Sequence, residues 1–185
     1  MGQQRREISF TYLCKMSKFQ RDHIAETIAD YEAMKDAERG KLLGRIMEDQ
    51  PMLMGFLTNL ADDFSDSEHE ALVDSTVIVI NAFVASGIPI KTVPDGLIKE
   101  VIEEKVDKYE NRDPEDLLDP EALKDISDSP LVFEDLRNRA LFKSDLKKDN
   151  PLGQQNFLLI LDAILTMIER MAATVIEEKE EARDQ

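Results

Sequence analysis

The sequence has no tryptophan and a single cysteine, Cys14. One cysteine excludes an intramolecular disulfide. Because secreted chains of this size usually carry several cysteines, the composition predicts a reducing, cytoplasmic location. No second cysteine or histidine lies close to Cys14 in the sequence, so a nucleophilic role for its thiol is not favoured.

Long apolar runs are also absent. The most apolar stretch covers residues 157–176, and it is interrupted by acidic and basic side chains such as Asp162 and Arg170. A membrane-spanning helix needs about 20 consecutive apolar residues. The short segment Ile8–Cys14 contains Ser and Thr, and no small-residue cleavage site follows it. We therefore expect neither a membrane span nor a signal peptide.

Basic residues are scarce: 23 Lys and Arg stand against 39 Asp and Glu, a formal net charge of −16. Nucleic-acid binders gain affinity by neutralising phosphates, and anionic membrane surfaces repel acidic proteins, so neither is an expected partner. The first 21 residues hold five basic residues and one acid, a net of +4, so the rest of the chain carries −20. Such a field either serves only to keep the protein soluble or attracts a basic protein partner.

Glycine and proline number only 7 each in 185 residues, and 42% of the side chains are hydrophobic. This composition predicts an all-α fold, a helical bundle of seven or eight helices around one core. We expect a basic extension outside the fold at residues 1–15, since Met16-Ser-Lys-Phe resembles an ordinary chain start. A single helical domain at 16–180 and an acidic tail at 181–185 complete the predicted organisation.

Proline, glycine and capping residues divide the chain into helices. Ser65 and Glu68 have the spacing of a capping box, and Gly87 ends the helix that they open. The β-branched run Thr76–Ile80 would also suit a strand, but its flanking signals favour one long helix. Two Asp-Pro-Glu sequences, at 113–115 and 119–121, predict short helices. The other predicted helices cover Ser17–Lys35, Lys41–Glu48, Pro51–Asp62, 94–112, Pro130–Leu146 and 151–180.

The last predicted helix has the most regular apolar pattern. Six large side chains follow a spacing of four, three, four, three, four: Phe157, Leu161, Ile164, Ile168, Met171 and Val175. This pattern is typical of a coiled-coil seam. Further apolar residues widen it on both flanks, so the helix is either the central post of the bundle or the seam of a homodimer.

A weak internal repeat links residues 48–86 with residues 127–176. Each unit has a short helix opened by proline, a polar turn and a long apolar helix. Either duplication or convergent amphipathic patterning explains this similarity.

Four acids share one face of the predicted helix 94–112: Glu100, Glu103, Glu104 and Asp107. This face lies opposite the apolar residues Ile98 and Ile102, so we expect it to be solvated. Metal ligands in a helical bundle face inward instead. We therefore interpret these four acids as a partner-binding surface.

Asp66 and His69 have the spacing of a carboxylate–imidazole ligand pair, and Asp62 lies one turn earlier. However, acids are common in the polar first turn of a helix, so we expect no metal ligands and no cofactor here. A helical metal-dependent hydrolase that uses these three residues, or the Glu100 face, is the alternative. The sequence contains no G-x-S-x-G, H-E-x-x-H, Walker or G-x-G-x-x-G motif.

Two further segments have both a structural and a binding interpretation. The loop Gly87–Gly96 carries apolar residues that either dock on the chain itself or contact a partner. Met47, Met52 and Met54 either fill the core or form an adaptable groove. The sequence thus favours a non-enzymatic protein-interaction or scaffolding module, with a hydrolase and an acidic inhibitor of a basic protein as the alternatives.

Overall fold

The computed structural model describes residues 23–113, 126–144, 146 and 150–183, with side chains to residue 174. In these ranges the chain is all-helical, as predicted, with seven helices and no strand. The helices are α1 (23–33), α2 (Asp36–Asp49), α3 (Pro51–Asn59), α4 (Asp66–Ala85), α5 (Asp95–Glu110), α6 (Pro130–Lys143) and α7 (Pro151–Arg183).

Helix α7 is the centre of the bundle and contacts α4, α5 and α6. Within the single chain, every side chain from Phe157 to Ile168 is buried except that of Ile160, which is partly exposed. Such burial around the whole circumference is typical of a core helix rather than a surface helix. The first four seam residues are therefore unavailable to a second copy unless the bundle opens. Met171 is partly exposed, and the side chain of Val175 lies outside the described part.

Helix α4 begins and ends as its local sequence predicts. The amide of Ser65 donates to Glu68 Oε2 at 2.8 Å, and the amide of Glu68 donates to Ser65 Oγ at 3.4 Å. At the other end, Gly87 has φ of +74°, a left-handed conformation that disfavours side chains. The amide of Ile88 then donates to the Phe83 carbonyl, which closes a Schellman cap. The β-branched run Thr76–Ile80 is buried inside this helix.

Helices α1 and α6 flank α4. Asp74 of α4 binds Arg139 of α6, and Ala82 of α4 lies beside Val132 near the start of α6, so these two helices run antiparallel. Ile24 of α1 lies beside the same two residues. This arrangement fixes the start of α1 against the end of α4.

The loop after α4 docks on the chain itself through Gln50, the residue between α2 and α3. The Gln50 side chain accepts from the amide of Val93 at 2.9 Å and donates to the carbonyl of Lys91 at 3.2 Å. Val93 is completely buried, and Thr92 Oγ1 donates to the carbonyl of Asp49. A buried amide that satisfies two backbone groups anchors this loop to the α2–α3 junction.

Four predicted helix boundaries were wrong, among them the end of the last helix, which lies at Arg183 instead of residue 180. Helix α2 begins at Asp36 instead of Lys41, because burial of Leu42 and Ile46 offsets the cost of the glycines inside the helix, about 1 kcal/mol each. Helix α3 ends at Asn59, and α6 ends at Lys143, three residues before the predicted end.

Several expectations lie outside the described residues: the extension at 1–15, the start of the first helix and the predicted short helices after Asp113. Of the predicted acidic tail at 181–185, the first three residues continue α7 and the last two lie outside the described residues. The internal repeat stays a prediction, although α3–α4 and α6–α7 are both a proline-opened helix followed by a longer one. Among the described residues, no helix has both the length and the apolar character that crossing a bilayer requires.

Candidate functional site

An open groove of about 350 Å³ lies where α1, α2 and α4 meet. This volume is at the lower end of the range for small-ligand pockets, roughly 300–1,000 Å³. The groove is lined by Asp30, Ala33, Met34, Glu38, Leu42, Arg45 and Asn81. It is therefore large enough for one or two side chains of a binding partner.

Helical spacing explains why these side chains converge. Glu38, Leu42 and Arg45 are at i, i+4 and i+7, so they form one stripe along α2. Asp30 and Met34 are also four positions apart, at the end of α1. The chain turns between the two helices around residue 35, which brings both stripes to the same groove.

The groove combines an apolar floor with a charged rim. Leu42 is buried and Met34 is partly exposed, whereas Asp30, Glu38 and Arg45 are exposed. One oxygen of Glu38, Oε2, already accepts from the amide of Lys35 at 2.9 Å and helps to begin α2. The rim thus presents two acids and one cation to solvent around an apolar centre.

A cluster of ion pairs holds the α1 wall of this groove in place. We call it the rim cluster; it consists of Glu32, Asp74, Arg139 and Lys143. Arg139 NH2 lies 2.7 Å from Glu32 Oε1 and 2.9 Å from Asp74 Oδ2, and Lys143 Nζ lies 2.8 Å from Glu32 Oε2. The hydrogen bond from Lys143 is the main cause that lowers the pKa of Glu32, although burial opposes it.

Tyr31 adds an aromatic contact to the rim cluster. Its hydroxyl donates to Asp74 Oδ1 at 2.5 Å, and its ring lies beneath the guanidinium groups of Arg39 and Arg139, at 5.1 and 5.6 Å. Burial, followed by the hydrogen bond to Asp74, raises the pKa of Tyr31 well above its usual range. The phenol therefore stays a donor, and α1 is fixed to α4 and α6.

The acidic face of α5 is partly engaged within the chain. Arg170 of α7 contacts Glu100 at 3.2 Å and Glu104 at 2.5 Å, and Lys108 also pairs with Glu104. Burial alone would raise the pKa of Glu104, but the hydrogen bonds from Arg170 and Lys108 lower it to about 2. Of the four acids in the predicted partner-binding face, only Glu103 and Asp107 are exposed without a described ion pair.

The residues of the alternative metal site are not assembled. His69 Nε2 donates to the carbonyl oxygen of Leu57 at 2.9 Å, which ties α4 to α3. Asp62 and Asp66 are exposed, and no group of three or more potential metal ligands occurs in the described ranges. Within the described part of the chain, Asp62, Asp66 and His69 do not come together as ligands of one metal ion.

The three methionines do not form one groove. Met54 is buried in the core, whereas Met47 and Met52 are 51% and 46% exposed. Met54 therefore fits the interpretation as a core residue and not the interpretation as part of an adaptable groove. The exposed pair lies at the α2–α3 junction.

Sequence reasoning missed a buried polar cluster between α5 and α7. Lys105 Nζ lies 2.8 Å from Asp162 Oδ2, and both side chains are completely buried. The Tyr109 hydroxyl is 3.4 Å from the same oxygen. A signal was present, because Lys105 lies midway between Val101 and Tyr109 on the apolar face of α5. A charged residue on that face predicts a buried partner.

Comparison of the chain with protein-family models, curated proteins and solved structures gives no match.

Proposed function

We propose that this chain is a protein-interaction module whose groove between α1, α2 and α4 binds a basic amphipathic segment of a partner protein. The observation that carries this proposal is the lining of the groove, which combines an apolar floor with exposed carboxylates. An interface of this kind buries an apolar anchor at its centre and keeps charged contacts at its rim.

The negative charge around the groove indicates which kind of partner segment would bind there. Asp30 and Glu38 lie on the rim, and the whole chain carries −16. A segment with Lys or Arg on either side of a large apolar side chain would pair with these acids and place that side chain against Met34 and Leu42. The long-range field would speed its encounter with the groove. Arg45, the one cation of the lining, would accept an acid at one end of the segment.

The fixed wall also supports binding. The rim cluster and Tyr31 hold α1 through contacts of 2.5–2.9 Å. A groove that already has its bound shape spends less free energy on ordering when a partner docks. The groove differs in this respect from the acidic face of α5, where two of the four acids already bind Arg170 of the same chain.

The proposal is testable with a fluorescent 16-residue peptide in which lysine and leucine follow helical spacing. We expect it to bind the full chain, and we expect a scrambled peptide of the same composition to bind less tightly. Replacing Asp30→Asn together with Glu38→Gln removes two rim charges, and glutamine preserves the capping box. Because an exposed ion pair contributes about 0.2–1 kcal/mol, loss of two such pairs should lower the affinity about twofold to thirtyfold.

A matched control separates the groove from the general field. Glu103→Gln together with Asp107→Asn removes the same charge from the exposed part of the α5 face. Equal loss of affinity in both double variants would leave only non-specific attraction, and a greater loss in the control would assign binding to α5. Sedimentation of the chain alone measures its oligomeric state. If the unmodified chain formed a dimer and the groove variant did not, the groove would be assigned to a second copy of the chain instead.

A further inference from the structure

The N-terminal part of the chain has the charge that the groove between α1, α2 and α4 calls for in an occupant. Residues 1–21 carry one acid, Glu7, and five basic residues: Arg5, Arg6, Lys15, Lys18 and Arg21. Their net charge of +4 stands against −20 for the rest of the chain, which together give −16. The two parts of the sequence therefore attract each other.

Apolar side chains lie between the basic residues of this part. Ile8, Phe10 and Tyr12 are two positions apart, and Ser9 and Thr11 separate them. In an extended backbone this spacing places the three apolar side chains on one side. We call residues 5–15 the basic segment; it has large apolar side chains with cations before and after them.

The groove is complementary to the basic segment in both respects. Its exposed acids, Asp30 on α1 and Glu38 on α2, belong to two different helices. Its apolar floor consists of Leu42, which is buried, and Met34, which is partly exposed. A segment with cations at both ends and apolar side chains in the middle matches this order of charge and apolar surface.

The basic segment is also joined to the groove by a short stretch of chain. Helix α1 begins at His23, and Asp30 and Met34 are 7 and 11 positions later, which is about 10 and 17 Å along the helix. Phe10 is 13 positions before His23, and 13 residues span at most about 45 Å. The chain is therefore long enough to return to the groove.

We propose that the basic segment occupies the groove of its own chain and that a partner protein must displace it. This inference rests on the proposed function, because it assigns a competing occupant to the same groove. A short tether gives an effective concentration on the order of 1 mM. With a dissociation constant of about 1 to 0.1 mM, the segment would fill about half to nine-tenths of the grooves. The apparent affinity for a partner would then fall about twofold to tenfold.

Competition is testable in the full chain with the lysine–leucine peptide. Ile8→Ser together with Phe10→Ser removes the apolar anchors of the basic segment and leaves the net charge unchanged. We expect the peptide to bind this variant about twofold to tenfold more tightly than the unmodified chain. Adding Asp30→Asn and Glu38→Gln should reduce that gain, because the segment and the peptide use the same acids.

Charge is tested separately with a matched control. Arg5→Gln together with Arg6→Gln should also strengthen peptide binding, although it makes the whole chain more negative. Lys91→Gln together with Lys99→Gln makes the same change in net charge at two exposed positions that do not line the groove. A smaller gain in this control is expected, and an equal gain would overturn the proposal in favour of the general field.

The peptide measurements also separate the two proposals. Equal affinity of the unmodified chain and the Ile8→Ser, Phe10→Ser variant would contradict occupancy by the basic segment and leave the proposed function standing. Failure of the peptide to bind any of these chains would contradict the proposed function and, with it, this inference.

Cys14, the only cysteine, allows a direct measurement in the chain without substitutions. A nitroxide attached to its thiol broadens the amide NMR signals of residues close to it. We expect broadening at Leu42 and Arg45 of α2 but not at Val101 of α5, and excess peptide should relieve it. Absence of broadening in α2, or broadening that the peptide does not relieve, would overturn the proposal.

A mixed sample identifies which chain the segment binds. Nitroxide-labelled chains without isotope are combined with isotope-labelled chains without nitroxide, so that only contact between two copies gives broadening. We expect none at Leu42 and Arg45. Broadening there would contradict occupancy within one chain and would assign the basic segment to the groove of a second copy.

Discussion

Two ionic clusters in this molecule differ in burial and in charge balance. In the rim cluster, Glu32 and Asp74 face Arg139 and Lys143, so two acids meet two cations, and most of these side chains are partly exposed. In the buried cluster, Lys105 pairs with Asp162 and neither side chain has exposed surface, while the nearby Glu169 is partly exposed and has one shielded oxygen without a described partner. The same residue types therefore have different energetic consequences in the two places.

The difference in burial determines where the protein tolerates an unpaired charge. Removal of one partner in a solvated pair is compensated by water, whereas in the interior it leaves an ion with no solvation. The rim cluster thus fixes the position of α1 at low cost. The buried pair makes the α5–α7 interface dependent on keeping the charges of Lys105 and Asp162 together.

The largest effect should come from breaking the buried pair. Asp162→Ala leaves the Lys105 ammonium buried without a counterion, and we expect the free energy of unfolding to fall by about 3–5 kcal/mol, as measured by urea denaturation. Lys105→Met combined with Asp162→Leu removes both charges, and we expect stability close to that of the unmodified chain. A loss below about 1 kcal/mol in the single variant would mean that Lys105 reaches solvent.

A smaller effect should follow when the rim cluster loses its central cation. Arg139→Ala removes the donor shared by Glu32 and Asp74, and we expect a loss of about 1–3 kcal/mol in thermal or urea unfolding. Arg139→Lys should recover only part of this, because an ammonium group lacks the planar fork that reaches both acids. Full recovery by lysine would show that charge alone, without the fork, holds α1.

The contrast between the two clusters also shows how far the sequence could predict the structure. Helix α4 was predictable because Ser65, Glu68 and Gly87 are local signals that tertiary contacts did not override. The core position of α7 was one of two alternatives, since periodicity alone does not distinguish a neighbour in the chain from a second copy. The start of α2 was missed because burial of Leu42 outweighs the glycine cost.

The candidate groove could not be predicted from the sequence. Its lining depends on how α1, α2 and α4 cross, which no local pattern specifies. The acids of α5 were recognised as a face, but the contact between Arg170 and Glu104 joins residues distant in sequence. The position of Lys105 on the apolar face of α5 was a signal for a buried partner that was missed, and it does not specify which acid provides that partner.

Glu104 should make the stability of the fold depend on pH in the acidic range. Because hydrogen bonds from Arg170 and Lys108 outweigh burial and lower its pKa to about 2, the folded state gains stability above pH 4.5 and loses it as the pH falls toward 2. The carboxyl is about one-third exposed, so we expect less than about 1 kcal/mol from Glu104→Gln at pH 7. The difference from the unmodified chain should vanish near pH 2. A difference that grew on acidification would contradict this assignment.

The smallest expected effect concerns the exposed end of the rim cluster. A double-mutant cycle with Glu32→Gln and Lys143→Met isolates their coupling, because Lys143 is 43% exposed and Glu32 is 32% exposed. We expect a coupling of about 0.2–1 kcal/mol in 0.1 M salt, falling toward zero in 1 M salt. The same cycle for Lys105 and Asp162 should give a larger coupling with little salt dependence, since mobile ions cannot enter the core. Equal salt sensitivity in both cycles would mean that the buried pair is hydrated.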